Sequence, residues 1–131
     1  MIVTEPANFL EAMIDCVNRD DVLASVTSQK ANDMIQELTG GNDVWIGLTD
    51  FHDEGEFTWV DGSKSSFENW LDKPRQPDND GGKEHCTQMM SDGNWNDAPC
   101  NNKYQYVCQY TTATVSSEII GKWKSLDDLF C

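Results

Sequence analysis

The segment Cys86-Thr87-Gln88-Met89-Met90-Ser91-Asp92-Gly93-Asn94-Trp95-Asn96-Asp97-Ala98-Pro99-Cys100-Asn101-Asn102-Lys103-Tyr104-Gln105-Tyr106-Val107-Cys108-Gln109-Tyr110 decides more of the fold than any other part of the chain. Cys86 to Met90 reads as a strand. Tyr104, Tyr106, Cys108 and Tyr110 alternate at the period of a strand with one buried face. Between them stands Trp95-Asn96-Asp97, an aromatic followed by two oxygen-bearing side chains. Three of the five cysteines lie in this segment; Cys16 and Cys131 are the others. None forms a C-x-x-C pair, and His52 and His85 give no zinc spacing. Two disulfides plus one unpaired thiol, made in an oxidising compartment, is the simplest reading; five buried thiols in a cytosolic protein is the alternative.

Upstream, residues 70–84 have little periodicity and read as a long loop, a length that in compact domains marks function or disorder. Phe57-Thr58-Trp59-Val60 is a strand running into a turn at Asp61-Gly62. Val44-Trp45-Ile46-Gly47-Leu48 is a short buried strand. Residues 27–39 read as a helix, with Ser28 as cap, Ala31, Met34, Ile35 and Leu38 along one side, and Gly40-Gly41 as the stop. Residues 6–18 read as another, with Pro6 near its first turn and Phe9, Leu10, Met13, Ile14 and Val17 on one face. Two helices followed by short strands predict an α+β fold with antiparallel sheets. Trp45, Trp59, Trp70 and Trp95 are expected to pack as core beneath the long loop, and His52 to be an exposed loop residue.

Downstream, residues 111–115 read as a linker and Ser116 or Ser117 as the cap of a short helix. Ile119, Trp123, Leu126 and Phe130 form its apolar stripe. Two readings stay open: a helix packed on its own domain, or a self-association segment in which Cys131 bridges two chains. The expected organisation is one domain over residues 1–110 and an extension over residues 111–131.

With 131 residues the chain fits a single domain. Its 23 Asp+Glu against 9 Lys+Arg give a formal net charge of −14. That excludes nucleic acid, whose phosphates need a basic patch, and docking on anionic lipid. No run is long and apolar enough for membrane insertion. Met1-Ile2-Val3 opens without a signal-peptide pattern, so a secreted protein is expected here in mature form.

The acidity is concentrated. Residues 50–84 hold ten Asp/Glu and four Lys/Arg. A solvated acidic face explains such a bias until the arrangement is considered. Gln76-Pro77-Asp78 precedes Glu84, and Asn96-Asp97 follows. Three carboxylates and two amides are hard oxygen donors, the mixture Ca2+ takes in its shell of 6–8 oxygens at about 2.3–2.6 Å.

These motifs together resemble the C-type lectin-like domain family. Trp45-Ile46-Gly47-Leu48 resembles its core strand, Gln76-Pro77-Asp78 its sugar-binding loop and Trp95-Asn96-Asp97 its second calcium motif. The steps of 14 from Cys86 to Cys100 and 8 from Cys100 to Cys108 agree with its cysteine register. The resemblance covers roughly residues 1–110. It implies a double-looped, disulfide-stabilised α+β domain: two helices on antiparallel sheets, the termini meeting in one sheet, and a long calcium-binding loop. It implies pairing of Cys16 with Cys108 and of Cys86 with Cys100, and a cis bond before Pro77. It further implies Gln76, Asp78, Glu84, Asn96 and Asp97 as ligands of one Ca2+, the only cofactor expected.

The same five residues would then bind sugar, two vicinal hydroxyls entering the calcium shell while donating to carboxylates and accepting from amides. Amide before acid in Gln-Pro-Asp resembles the galactose-type members, whereas the mannose type carries Glu-Pro-Asn. Galactose or N-acetylgalactosamine glycans are therefore the expected ligands. Galactose-type members place an aromatic after the tripeptide; residues 79–85 hold none, and His85 or an aromatic arriving from elsewhere is the candidate substitute. A second, auxiliary metal site at Asp50, Glu54 and Asn79 is half supported: Asp50 and Glu54 occupy positions that carry acids in members with that site, but Asn79 and His85 stand where acids are expected, so the resemblance implies a weaker or absent site, and ordinary loop charge is the other reading of Asp50 and Glu54.

Three functions compete. The first is a secreted calcium-dependent lectin with no catalysis, disulfide-dimeric if Cys131 bridges; innate recognition of microbes is a common use of free-standing relatives. The second is a binder of the same fold with a non-sugar target such as a protein, a mineral or ice. The third is a glycosidase using a carboxylate pair. It is disfavoured because the candidate acids are already assigned to the cation, and no nucleophile with a base, phosphate loop or redox pair is present.

Overall fold

A computed structural model gives the fold and describes residues 1–72, 76–77, 79 and 82–110. Its centre is strand β3 (Val44–Asp53). Successive side chains on a strand face opposite ways. Val44, Ile46 and Leu48 accordingly enter one apolar cluster and Trp45 the other. One neighbour of β3 is β5 (Glu84–Met89), paired antiparallel; the other is β7 (Tyr104–Tyr110), paired parallel. β6 (Trp95–Pro99) flanks β5, and β1 (Ile2–Ala7) flanks β7, giving the order β1-β7-β3-β5-β6. β2 (Asp21–Leu23) also pairs with β7, and β4 (Glu56–Trp59) with β3. The sheet is thus mixed, where an antiparallel one was expected. The connection from β3 to β7 runs through three other strands, long enough for the crossover a parallel pair needs.

The resemblance implied that the termini meet in one sheet, and β1 lies antiparallel beside β7 with Ile2 opposite Val107. β1 itself was not read from the sequence. Pro6 belongs to this strand, not to a helical turn. β1 is an edge strand, where a missing N–H is tolerated. Helix α1 (Phe9–Asn18) starts after Asn8, which closes a capping box. Glu11 N–H donates to Asn8 Oδ1 at 2.8 Å, and Asn8 N–H donates to the Glu11 carboxylate at 3.0 Å. An N-cap side chain contributes about 0.5–2 kcal/mol. Helix α2 (Gln29–Thr39) begins and ends as read, with Ser28 Oγ accepting from Ala31 N–H at 3.1 Å and Gly40 left-handed at φ 62°.

α1 buries Phe9, Ala12, Met13, Cys16 and Val17 against Val22, Trp45 and Tyr106. Trp45 meets Phe9 edge-on at 5.6 Å and donates its Nε1–H to the Ala7 carbonyl at 2.9 Å. It therefore packs under α1, while Trp59, Trp70 and Trp95 form the core on the other side with Phe67. Gly47 sits between the layers. A Cβ there would lie 2.8 Å from the Leu23 carbonyl oxygen and 2.9 Å from Val60 Cγ2, so only glycine fits. Both implied disulfides are present: Cys16–Cys108 and Cys86–Cys100. Closing a loop the size of the second restricts the unfolded chain by about 3 kcal/mol in the chain-entropy account.

Trp95 is fully buried, with ring edges against Trp59 at 5.6 Å and Phe67 and Trp70 at 5.7 Å. Its Nε1–H donates to Asn32 Oδ1 at 2.7 Å, and Asn32 Nδ2 donates to the Gly93 carbonyl at 2.9 Å. This pair turns α2 so that Asn32 and Thr39 are buried while Met34 and Leu38, read as part of the apolar side, are exposed. Asn32→Ala leaves the buried Trp95 N–H and the Gly93 carbonyl without that partner. The expected loss is about 1–3 kcal/mol for an orphaned buried donor. A lowered urea midpoint with unchanged slope checks it.

Candidate functional site

The long loop is sewn to β6 by backbone. Leu71 N–H donates to the Trp95 carbonyl at 2.9 Å, Trp95 N–H to the Asn69 carbonyl at 2.8 Å, and Gln76 N–H to the Leu71 carbonyl at 2.8 Å. Gln76 is thereby carried to within two backbone links of Trp95, and its side chain is buried. The Gln76–Pro77 peptide is cis, as the resemblance implied. On β6, Asn96 stands opposite Gln88 and Asp97 opposite Thr87 of β5. Asn96 Nδ2 donates to Gln88 Oε1 at 3.1 Å, which fixes the amide's orientation.

Asn79 is the brace of the site. Its backbone is left-handed at φ 44°, a region asparagine tolerates. Its N–H donates to Asp97 Oδ2 at 2.6 Å, and its Oδ1 accepts from Glu84 N–H at 3.0 Å. Asp97 has no exposed surface, so this donated hydrogen bond offsets part of the expense of burying a carboxylate. One residue thus joins the loop to both β5 and β6. Of the five expected ligands, Gln76, Glu84, Asn96 and Asp97 are gathered on these three segments; Asp78 lies outside the described residues.

A second cluster adjoins the first. The register that sets Thr49 opposite Cys86 brings Asp50 beside His85. His85 Nδ1 lies 2.9 Å from Asp50 Oδ1 and 3.8 Å from Glu54 Oε2. Gly55, at the turn after β3, donates its N–H to Asp50 Oδ2 and to Glu54 Oε2, each at 3.0 Å. Asn79 Nδ2 hydrogen-bonds Glu54 Oε1. Asp50 is only 3% exposed. Burial pushes its carboxyl up to about 6, the adjoining Glu54 carboxylate pushes the same way, and the Gly55 amide and His85 pull it back. Glu54, hydrogen-bonded by Asp50, is held below the usual carboxylate range. The ring of His85 also faces Phe51 at 6.3 Å.

Asp50 and Glu54 were read as auxiliary ligands, and the fold brings them together. Asn79, the third member of that set, directs its side chain to Glu54 and the Glu84 amide. His85, read as standing where an acid is expected, joins them instead. His52, expected in a loop, falls within β3. Asn32 was missed because an asparagine inside a helical pattern carries no sign of what it faces. The expected helix over residues 116–130 and Cys131 lie outside the described residues.

The chain is similar to proteins of one kind. The Lectin C-type domain profile matches residues 5–110. The low affinity immunoglobulin epsilon Fc receptor of Mus musculus is 37% identical over 113 residues, covering 85% of this chain but 34% of the receptor, so the chain spans about a third of that relative's length. Among solved structures, the cow C-type carbohydrate-recognition domain of CD23, crystallised in the presence of a GlcNAc2Man3 oligosaccharide, superposes with a TM-score of 0.78 at 31% identity, over 85% of this chain and 86% of that one. A calcium-independent type II antifreeze protein superposes with a TM-score of 0.74 at 29% identity, over 82% and 81%. With the profile spanning β1 to β7 and the two disulfides in place, the chain belongs to the C-type lectin domain family.

Proposed function

We propose that this domain is a calcium-dependent, galactose-type carbohydrate-binding module, with Gln76, Asp78, Glu84, Asn96 and Asp97 holding both the ion and the sugar. C-type lectin domains are in general non-enzymatic binding domains and generally bind Ca2+. The donor set fits that ion. All five side chains offer oxygen, three of them as carboxylates, in a chain of net charge −14. The observation that carries the reading is the Asn79 brace, which ties the loop bearing Gln76 to Glu84 and Asp97 in one construction.

Bound Ca2+ supplies open coordination positions for two neighbouring sugar hydroxyls. The protein's part is orientation. Carboxylate oxygens accept from the hydroxyls and amide nitrogens donate to them, so the order of acid and amide selects the sugar. Gln76 before Asp78 supports galactose or N-acetylgalactosamine over mannose. His85 stands at the margin of the set, its Nδ1 edge already turned to Asp50.

A second reading is a non-sugar target on the same fold, favoured by the likeness to a calcium-independent antifreeze protein. The two part on calcium. Relatives are often extracellular, some are membrane receptors, and no helix among the described residues is long and apolar enough to cross a membrane. Secretion is part of the proposal, as is a division into a lectin domain over residues 1–110 and an extension over residues 111–131. A disulfide through Cys131 pairs two copies, which raises avidity for clustered glycans without any new contact.

Calcium at about a hundred times its Kd is expected to add about 2.7 kcal/mol of stability, read as a raised Tm. On a glycan array, galactose-terminated ligands bind with calcium and are lost with EDTA; mannose selectivity or binding retained in EDTA contradicts the reading. Asp97→Ala abolishes both the calcium-induced rise in Tm and the sugar signal. Mild acid releases sugar, because the carboxylates must be deprotonated to hold the metal. Non-reducing electrophoresis is expected to show a dimer that reductant or Cys131→Ser converts to monomer.

A further inference from the structure

An apolar groove lies between α2 and the end of β7. Ala31, Met34, Ile35 and Leu38 line it from α2, and Val107 and Tyr110 from β7, around a cavity of about 560 Å3. Met34 is 61% exposed, Leu38 50% and Tyr110 85%. Single exposed apolar residues are ordinary, but several adjoining ones mark an interaction surface. Their exposure has a cause in the fold, because the Asn32–Trp95 hydrogen bond turns Asn32 inward and Met34 and Leu38 outward. We propose that this groove is the docking site of the chain's own extension, residues 111–131, seated through Ile119, Trp123, Leu126 and Phe130. This docking takes the extension as the helix read from its sequence. It uses no residue of the calcium and sugar set, and it stands whether or not Cys131 bridges two copies.

Position favours this occupant over a separate partner. Tyr110 lines the groove and is also the residue from which the extension departs. Residues 111–115 span at most about 17 Å and the 11 residues of α2 about 16 Å, so a helix beginning at Ser116 or Ser117 can lie along the groove from either end. A segment tethered by so short a linker meets the groove at an effective concentration on the order of millimolar.

Shape and charge agree. The stripe steps by 4, 3 and 4 from Ile119 to Phe130, about 16 Å of helix and so the length of α2. Ala31, Met34 or Ile35, and Leu38 repeat at the same period, which lets the two rows of side chains interdigitate. Lys122 and Lys124 stand about 100° to either side of Trp123 on a helix, one on each margin of the stripe. Acids stand at the margins of the groove: Asp33 and Glu37, exposed and one turn apart on α2, and Asp21 on β2. Seating the stripe therefore brings the lysines to carboxylates. The helix also needs a surface to pack on, since about fifteen residues interrupted by Gly121 are marginal as an isolated helix in water.

The test uses the full chain carrying Cys131→Ser. Sedimentation is expected to show a monomer. Amides of residues 119–130 are expected to exchange about tenfold or more slowly than in the same chain carrying Met34→Gln and Leu38→Gln. Nuclear Overhauser contacts are expected from the Trp123 ring to the Met34 and Leu38 methyl groups. Both groove positions are exposed, so the double variant keeps the fold, checked by unchanged exchange in β3 and β5. Lys122→Glu with Lys124→Glu speeds exchange of the extension, and adding Asp33→Lys with Glu37→Lys restores its protection. Fast exchange throughout residues 116–130, or protection that Met34→Gln with Leu38→Gln leaves intact, overturns the proposal. So does protection that appears only as a dimer forms with rising concentration, which assigns the groove to a second copy.

Discussion

Everything at the ligand-bearing end of the domain hangs on how Trp95 is held. Its ring is enclosed by the edges of Trp59, Phe67 and Trp70, and its indole N–H is taken by Asn32 from α2. An apolar cage alone would locate the ring but not fix its rotation; the buried hydrogen bond does so, because an unpaired N–H there is expensive. With Trp95 fixed, its carbonyl receives Leu71 and its own amide reaches Asn69, so the long loop is drawn onto β6. Asn96 and Asp97, the next two residues, inherit that position.

Much of this was legible in the sequence, for identifiable reasons. Alternation exposed β7 and the core of β3, since a sheet buried between two layers enforces period two on its strands. Ser28 and Gly40-Gly41 bounded α2 because helix ends need a side-chain acceptor and a left-handed stop. Gln76, Glu84, Asn96 and Asp97 were found as oxygen-rich punctuation in an acidic stretch. What escaped has a common cause. β1 owes its existence to pairing with β7, a partner about a hundred residues away, and its Pro6 resembles a helix start locally. The parallel β3–β7 pairing is a property of topology. Asn32 acquires its meaning only from what the fold sets opposite it. Asp78 and the residues beyond Tyr110 remain readings of sequence.

The two clusters share hardware. Asn79 touches Asp97 and Glu84 on one side and Glu54 on the other, so one side chain and one amide support both groups of acids. In a chain with net charge −14 such crowding of carboxylates is electrostatically unfavourable unless something positive or proton-like stands among them. In the Asp50 group that role is taken by His85 and the Gly55 amide, and burial holds back the ionisation of Asp50 itself. The Asp97 group draws on backbone N–H. The two groups thus neutralise charge by different means on either side of one residue, Asn79.

The pairing of β1 with β7 has a mechanical consequence. Met1 and Tyr110 emerge at the same end of an antiparallel ladder, with the Met1 ammonium on the Cys108 carbonyl at 2.8 Å. Tension between these points peels the ladder one bond at a time rather than straining all of it together. The peeling halts at the Cys16–Cys108 bridge, after releasing a stretch that spans at most about 58 Å. From there the covalent link carries the load, and residues 17–107 form a slack loop inside it. The segments that carry Gln76, Glu84, Asn96 and Asp97 lie wholly within that loop, so the covalent link, not their own hydrogen bonds, takes the load once the first strand has come away.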